Sequence, residues 1–332
     1  MSNVSSEDGI APETQLIIDD PDVQQIDADE DLLDDVPDDV DCVELIQSRI
    51  QSMASLGLER FKNLQSLCLR QNQIKKIESV PETLTELDLY DNLIVRIENL
   101  DNVKNLTYLD LSFNNIKTIR NINHLKGLEN LFFVQNRIRR IENLEGLDRL
   151  TNLELGGNKI RVIENLDTLV NLEKLWVGKN KITKFENFEK LQKLSLLSIQ
   201  SNRITQFENL ACLSHCLREL YVSHNGLTSF SGIEVLENLE ILDVSNNMIK
   251  HLSCLAGLKN LVELWASNNE LSSFQEIEDE LSGLKKLETV YFEGNPLQKT
   301  NPAVYRNKVR LCLPQLRQID ATIIPKTSKQ FP

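Results

Sequence analysis

The chain has 332 residues, of which 41% are hydrophobic, and a formal net charge of −14. Its length permits one large domain or two ordinary ones. No run of about 18 apolar residues occurs, so no transmembrane helix is expected. The first residues lack a basic segment followed by an apolar one, so we expect no secretory signal.

The negative charge is concentrated at one end of the chain. Residues 1–41 contain fifteen Asp or Glu and no Lys or Arg, so the remaining residues sum to about +1 (−14 minus −15). Residues 1–39 have no sustained apolar period, and such a composition cannot offset the entropy of ordering. The sequence therefore predicts a disordered acidic tail over 1–39. The nearly neutral remainder weighs against nucleic-acid binding.

Six cysteines are spread along the chain without the clustering of a disulfide framework. Reduced thiols, and hence the cytosol or nucleus, fit this spacing. Cys212, His215 and Cys216 have a metal-like spacing, but no second pair of ligands lies near them in the sequence. We therefore expect neither a metal site nor a cofactor.

From about Val40 the chain repeats itself, and one asparagine marks each full copy. Most successive asparagines are 22 residues apart; the first step is 20, one is 23 and the last is 26. The frame L-x-x-L-x-L precedes the asparagine, and a degenerate twelfth copy starts the series with Ser48 in the asparagine position. The eleven positions are Asn72, Asn92, Asn114, Asn136, Asn158, Asn180, Asn202, Asn225, Asn247, Asn269 and Asn295.

This period is that of a leucine-rich-repeat solenoid of the α/β class. The L-x-L core predicts a short strand with inward leucines, and the asparagine amide can satisfy backbone groups in the following turn. The segments between strands repeat as IENL with an aliphatic residue every three positions, which suits 3₁₀ or short helical turns on the convex side. We predict about twelve repeats over 40–295, with a concave parallel sheet.

Residues 296–332 break the period and are predicted to cap the array and continue as a short tail. Asn301 followed by Pro302 is a typical helix start, and Pro314 ends the helix. The predicted apolar stripe of this helix comprises Val304, Tyr305, Val309, Cys312 and Leu313.

One outward-facing column of the predicted sheet carries unusual side chains. It lies four residues before each asparagine and holds five large aromatic residues and four acids in eleven positions, including both tryptophans. Its members are Cys68, Asp88, Asp110, Phe132, Glu154, Trp176, Ser198, Tyr221, Asp243, Trp265 and Tyr291, with Glu263 beside Trp265. Aromatic residues are enriched at interface hot spots. With strands about 4.8 Å apart, the sheet would extend roughly 50–60 Å, which is the size of a protein partner.

Three features together resemble one protein family. They are the 22-residue repeat, the IENL segments at 97–100, 141–144 and 163–166, and the ending NPLQK-…-YR-…-LP-…-RQIDAT. Over about residues 40–324 the chain resembles the leucine-rich-repeat regulatory subunits of protein phosphatase 1 of fungi and animals.

The resemblance implies a non-catalytic protein whose concave face binds the phosphatase catalytic subunit, and which controls its maturation, localisation or activity. The contacts carried over by position are Asp110, Phe132, Glu154, Trp176, Asp243, Glu263, Trp265 and Tyr291. Tyr221 joins them because alternation along the strand places it on the same face. The resemblance further implies a nuclear and cytoplasmic monomer that acts in the cell cycle and mitosis, and that leaves room for a further inhibitory subunit.

Two other functions stay open at this point. Leucine-rich-repeat proteins also serve as scaffolds in ribonucleoprotein particles, where they hold a partner helix or domain. Aligned carboxylates such as Asp88 and Asp110 could in principle act as a catalytic pair. An open face without an enclosing pocket disfavours an enzyme, so we expect no catalytic residues, and neither a nucleic-acid nor a membrane partner.

Overall fold

The computed structural model describes residues 32–325, which form a solenoid around a single parallel sheet. The twelve coils each contribute one three-residue strand, and the strands lie in chain order. They are β1 (Cys42–Glu44), β2 (Ser66–Cys68), β3 (Glu86–Asp88), β4 (Tyr108–Asp110), β5 (Asn130–Phe132), β6 (Asn152–Glu154), β7 (Lys174–Trp176), β8 (Leu196–Ser198), β9 (Glu219–Tyr221), β10 (Ile241–Asp243), β11 (Glu263–Trp265) and β12 (Thr289–Tyr291). The predicted leucine-rich-repeat solenoid is confirmed.

The register stacks equivalent residues of neighbouring coils. Leu242 of β10 pairs with Leu220 of β9 and with Leu264 of β11, and all three are fully buried. Burying one such side chain contributes roughly 1.5–3 kcal/mol. Because every coil repeats this contact, the core is one continuous column along the inside of the sheet.

The convex side is built mostly from turns, as its three-residue period predicts. Four 3₁₀ helices occur in the described residues, at Ala54–Leu56, Leu58–Arg60, Ala211–Leu213 and Ile233–Val235. One α-helix, α1 (Phe274–Leu281), lies in the 26-residue step, where the extra residues allow two turns of helix. Its start is a serine N-cap, in which the Ser273 hydroxyl accepts from the Glu276 amide at 3.2 Å.

A helical cap closes the C-terminal end of the array. It consists of α2 (Pro296–Lys299), α3 (Pro302–Cys312) and the hairpin β13 (Gln318–Ile319) and β14 (Thr322–Ile323), with β13 parallel to β12. The Asp320 carboxylate ties the cap to the last coil, accepting from the Phe292 amide at 2.9 Å and the Tyr305 hydroxyl at 3.2 Å.

The start and end of α3 match the prediction, but one member of its apolar stripe is wrong. Tyr305, Val309 and Leu313 are buried and Cys312 is partly buried, whereas Val304 is 37% exposed. The reason is the helical period, because residue 304 lies about 100° around the helix from residue 305.

The boundary of the predicted tail needs a correction. Residues 32–39, assigned to the disordered tail by composition, pack on the first coil, and Leu33 is only 4% exposed. The Arg60 guanidinium donates to the carbonyls of Leu33 and Val36 and pairs with Asp38 at 2.7 Å. Leu33 helps cover apolar side chains that the first coil would otherwise expose. The rest of the predicted tail, residues 1–31, lies outside the described residues.

The described part of the chain contains no helix with the length and apolar character needed to cross a membrane. Residues 32–325 also hold no group of three or more His, Cys, Asp or Glu side chains arranged for a metal ion. Cys212 and Cys216, from the candidate metal spacing, instead direct their thiols at backbone carbonyls of Asn209, Leu191 and Leu213.

Candidate protein-binding face

The repeat asparagines fix the turn that follows each strand. The Asn180 amide donates to the carbonyls of Leu155, Val177 and Gly178 at 2.9–3.2 Å, and its oxygen accepts from the Ile160 amide at 3.0 Å. One side chain thus serves four backbone groups in two coils and satisfies the buried Ile160 amide. This ladder of asparagine side chains keeps the strand ends of successive coils in register. The outward side chains of those coils are therefore aligned.

A second asparagine ladder runs through the IENL segments on the convex side. Asn99, Asn121, Asn143, Asn165, Asn187 and Asn209 all have φ between 55° and 63°, and each donates to a backbone carbonyl of the preceding coil. Asn tolerates this left-handed conformation better than most residues. The sequence analysis noted the IENL repeat but missed the role of its asparagine. Its fixed place two residues after a buried apolar position was the available signal.

All nine predicted contact residues lie on the concave sheet, between β4 and β12. Phe132, Glu154, Trp176, Tyr221, Glu263, Trp265 and Tyr291 are partly exposed, whereas Asp110 and Asp243 are buried at 6% and 9% exposure. The structure therefore places the nine residues on one continuous face. Two of them, Asp110 and Asp243, are buried, and their contacts are described below.

Three aromatic rings form a cluster towards the C-terminal end of this face. The rings of Tyr221 and Trp265 meet edge to face at 6.2 Å between centroids, and those of Trp265 and Tyr291 at 5.7 Å. Tyr221 and Trp265 belong to coils two apart. Their rings can approach each other because the intervening Asp243 has a short side chain, which accepts a hydrogen bond from the nearby Ser245 amide. We call these three residues the aromatic cluster.

Carboxylates orient the polar ends of the aromatic cluster. Trp265 Nε1 donates to Glu263 at 2.9 Å, and the Tyr221 hydroxyl donates to Glu219 at 2.8 Å. Burial and this bond to Glu219 raise the pKa of Tyr221, so its hydroxyl stays a donor at neutral pH. Each acid keeps one oxygen free of these bonds, and the arrangement presents apolar rings beside negative charge.

The buried acids of the middle column have a structural task as well. Asp110 accepts from the Ser112 amide at 2.8 Å, and Asp243 accepts from the Ser245 amide at 2.9 Å. Desolvation by burial raises the pKa of Asp110. These two carboxylates therefore have a structural role in the turn that follows each strand.

The N-terminal part of the face combines acids and aromatic rings in a looser arrangement. Tyr108 and Phe132 meet at 5.1 Å between ring centroids. Burial is the main cause that raises the pKa of Glu154. Trp176 Nε1 donates to Asn152 at 3.1 Å. The desolvated carboxylates here favour a cationic partner, which would stabilise their charged form.

The comparisons with known proteins agree with this geometry. Family models described as "Leucine-rich repeat" and "Leucine Rich repeats (2 copies)" match residues 147–251 and 104–146. An internalin of Listeria monocytogenes, inlF, superimposes with a TM-score of 0.67 over 86% of this chain and 88% of its own, at 26% identity.

Two curated relatives are similar in sequence over shorter segments. "Protein phosphatase 1 regulatory subunit SDS22" of Saccharomyces cerevisiae is 47% identical over 94 residues, which are 27% of this chain and 27% of the yeast protein. "Protein phosphatase 1 regulatory subunit 7" of Homo sapiens is 63% identical over 46 residues, 14% of this chain and 12% of the human protein. The matched segments thus span about a quarter or less of these relatives.

The fold, the repeat models and the relatives all indicate a leucine-rich-repeat protein. The expected resemblance is confirmed by named relatives, and the repeat period by two family models. The chain is a leucine-rich-repeat protein similar to the regulatory subunits of protein phosphatase 1.

Proposed function

We propose that this protein is a non-catalytic regulatory subunit that binds the catalytic subunit of protein phosphatase 1 on its concave face. The observation that carries the proposal is the aromatic cluster with its flanking carboxylates, on the face of a chain whose similar relatives are named as regulators of that enzyme. Binding would control the maturation, localisation or activity of the phosphatase, and any catalytic metal would belong to the partner.

The geometry favours a partner that presents Lys or Arg beside apolar side chains. Glu219 and Glu263 lie at the margin of three rings, so a cation can meet a carboxylate and a ring face at once. Half-buried tryptophan and tyrosine in a packed centre are the residues that dominate binding energy at interfaces. Acids along the remaining face would direct the encounter and exclude acidic partners.

The decisive experiment is capture of the phosphatase by the immobilised full chain and by the double variant Glu263→Ala, Trp265→Ala. The double variant removes one ring of the aromatic cluster and its acid, so capture should fall at least about 100-fold. Circular dichroism and thermal unfolding should stay close to those of the parent protein, because neither side chain belongs to the inward leucine or asparagine columns.

A matched control is the double variant Glu237→Ala, Lys259→Ala on the opposite side of neighbouring coils. It removes one acid and one other exposed side chain away from the concave sheet, and capture should be unchanged. Equal capture by the parent chain and by a folded Glu263, Trp265 variant would sink the proposed face. Recovery of an RNA-binding protein in place of the phosphatase would favour a ribonucleoprotein scaffold, and hydrolysis lost on Asp110→Asn would favour an enzyme.

We further propose that the protein acts in the nucleus and cytoplasm, in the cell cycle and mitosis, as a monomer before it binds the phosphatase. The sheet of twelve coils extends beyond the aromatic cluster, so a further inhibitory subunit would have surface to bind. Size-exclusion chromatography with light scattering tests the monomer, and imaging of a tagged chain through division tests the location.

A further inference from the structure

The near-neutral charge of the folded part hides a strongly basic strip. It lies where the chain leaves the asparagine turns of coils 4 to 6, on the edge of the solenoid where the strands end. We call it the basic edge, and its members are Lys117, Arg137, Arg139, Arg140, Lys159 and Arg161. All six are exposed, and five of them line one shallow depression. Within residues 32–325 only Arg140 of the six forms an ion pair, with Glu164.

An apolar patch interrupts the same edge on coils 3 and 4. Leu93, Val95 and Phe113 are 41%, 48% and 41% exposed, and the ring of Phe113 packs on that of Tyr90 at 4.9 Å between centroids. Val95 occupies the position that holds Lys117, Arg139 and Arg161 in the next coils. We call Tyr90, Leu93, Val95 and Phe113 the edge patch; it is continuous with the basic edge, and exposed apolar clusters of this kind mark binding surfaces.

The chain itself carries a segment with the complementary composition. Residues 1–31 contain ten Asp or Glu and no Lys or Arg. Three consecutive apolar residues, Leu16, Ile17 and Ile18, stand directly before the acidic pair Asp19 and Asp20. An apolar triplet beside acids is complementary in composition to an apolar patch beside bases on one edge. The concave face, which is rich in carboxylates, would repel the same segment.

We propose that residues 1–31 dock on the basic edge of their own chain, with the apolar triplet on the edge patch and the acids along the bases. This contact goes beyond the proposed phosphatase binding and uses a different surface. It makes the tail a built-in competitor for any acidic partner of the basic edge, and keeps that edge from binding polyanions unspecifically.

The reach of the segment permits the contact. The tail joins the described chain at Leu32, beside coil 1. The centre of the basic edge is about four coils away along the solenoid, or roughly 20 Å at the spacing of neighbouring strands, in addition to the width of one coil between the two edges. A segment of 31 residues spans up to about 100 Å when extended. Tethering also gives the segment a local concentration on the order of millimolar, so weak electrostatic attraction is enough to hold it.

Zero-length carbodiimide cross-linking of the full chain tests the proposal, because it joins only carboxylates and lysines in direct contact. Tail peptides should couple to Lys117 and Lys159 on the basic edge. Lys104 and Lys126, equally exposed but placed just before β4 and β5, are matched references on the opposite edge. Residues 32–39 enter the array on that opposite edge, so an undocked tail would couple to the references at least as often.

We expect the yield at Lys117 and Lys159 to exceed that at the references by about fivefold at low salt, and the excess to vanish at about 0.5 M salt because of screening. Replacing Asp19, Asp20, Asp22, Asp27 and Asp29 by Asn should abolish the excess. It should also make the chain bind a heparin column to higher salt, since the basic edge is then uncovered. These five sites lie outside residues 32–325.

Other outcomes overturn the proposal. Equal yields at both edges would mean that the tail does not dock. Cross-links between ¹⁵N-labelled and unlabelled chains in a mixture would show that a second copy supplies the segment. Unchanged heparin retention in the five-site variant would show that these acids do not cover the basic edge in the parent chain. None of these results bears on phosphatase capture, so the two proposals fail independently.

Discussion

Two columns of side chains run side by side through the coils of this protein, and they obey different rules. The column after the strands, called the constant column below, is asparagine in every one of eleven coils. The middle column of the concave face lies four residues earlier and changes at almost every coil, so we also call it the variable column. The asparagine meets the same backbone groups in each coil, so one residue suits all. The middle column meets no such demand in every coil, and under the proposed function its variety would reflect the partner.

The aspartates of the middle column are the exceptions that sharpen the contrast. Asp88, Asp110 and Asp243 each accept a hydrogen bond from the amide two residues later, which is a structural duty inside the variable column. Aromatic residues at the equivalent positions of other coils have no such bond. A variable column can therefore contain side chains that serve the fold, and only variants can separate the two roles.

The largest effect on stability is expected from Asn158→Ala in the constant column. The Asn158 amide donates to the carbonyls of Phe133, Leu155 and Gly156 at 2.8–3.3 Å, and its oxygen accepts from the Ile138 amide at 2.9 Å. Alanine leaves these groups without the side chain, so the free energy of unfolding should drop by about 3 kcal/mol. Urea denaturation measures the change.

Asn115→Ala is the matched control for that variant. Its side chain forms no hydrogen bond with the described residues, and only its backbone takes part in the turn. We expect a change within about 0.5 kcal/mol. Equal losses in both variants would remove the distinction between the constant column and its neighbours.

The constant column is also the part of the structure that could be predicted from the sequence. Leucine and asparagine positions define coil number, strand direction and sheet register, because the same contacts recur in each coil. The helix α1 could not be read from the three-residue period, since it fits into extra residues of a single step. The burial of Asp110 depends on its contact with the following turn, which the repeat pattern does not predict. The packing of Leu33 on coil 1 is a tertiary contact, and the acidic composition around Leu33 gives no sign of it. Candidate contact residues followed from alternation and resemblance, whereas the aromatic cluster required side-chain positions.

The two tryptophans of the variable column should differ in their effect on phosphatase capture. Trp265 is the central ring of the aromatic cluster, and Trp176 has no ring partner among the described residues. Trp265→Ala should weaken capture by about 30–100-fold, and Trp176→Ala by about tenfold. Each variant should unfold within about 1 kcal/mol of the parent, because both rings are partly exposed. Titration with labelled phosphatase measures the order, and a reversed order would place the centre of the interface near coil 7.

Asn165 in the second ladder tests whether a constant residue on the convex side has a smaller structural role. Its amide donates to the Ile141 carbonyl at 2.7 Å, and its φ is 59°. Asn165→Ala loses this bond and strains the left-handed backbone, so we expect a loss of about 2 kcal/mol. Asn165→Gly loses the bond without the strain and should cost about 1 kcal/mol less. Thermal and urea unfolding of the two variants separate backbone strain from hydrogen bonding, and identical losses would contradict a strain contribution.

A small change in stability of the opposite sign is expected from Asp110→Asn, where the two roles of the variable column meet. Asparagine can still accept from the Ser112 amide, so the turn should persist. The replacement removes a buried charge, and the free energy of unfolding at neutral pH should stay equal or rise by up to about 1 kcal/mol. Phosphatase capture should weaken about tenfold through the lost attraction for a cation. Stability and binding thus move in opposite directions, which a residue with only a structural role would not produce.

The pH dependence of this variant follows from the same burial. Desolvation raises the pKa of Asp110 above its value in the unfolded chain, so the folded state binds the proton more tightly. Ionisation therefore costs the parent protein stability at neutral pH, and that cost disappears as the pH falls through the raised pKa. The asparagine side chain of the variant cannot titrate, so the stability advantage of Asp110→Asn should be largest at neutral pH and shrink on acidification. Urea unfolding of both proteins at a series of pH values checks the sign, and an advantage that grows towards acid would mean that a cation within the chain already stabilises the Asp110 carboxylate.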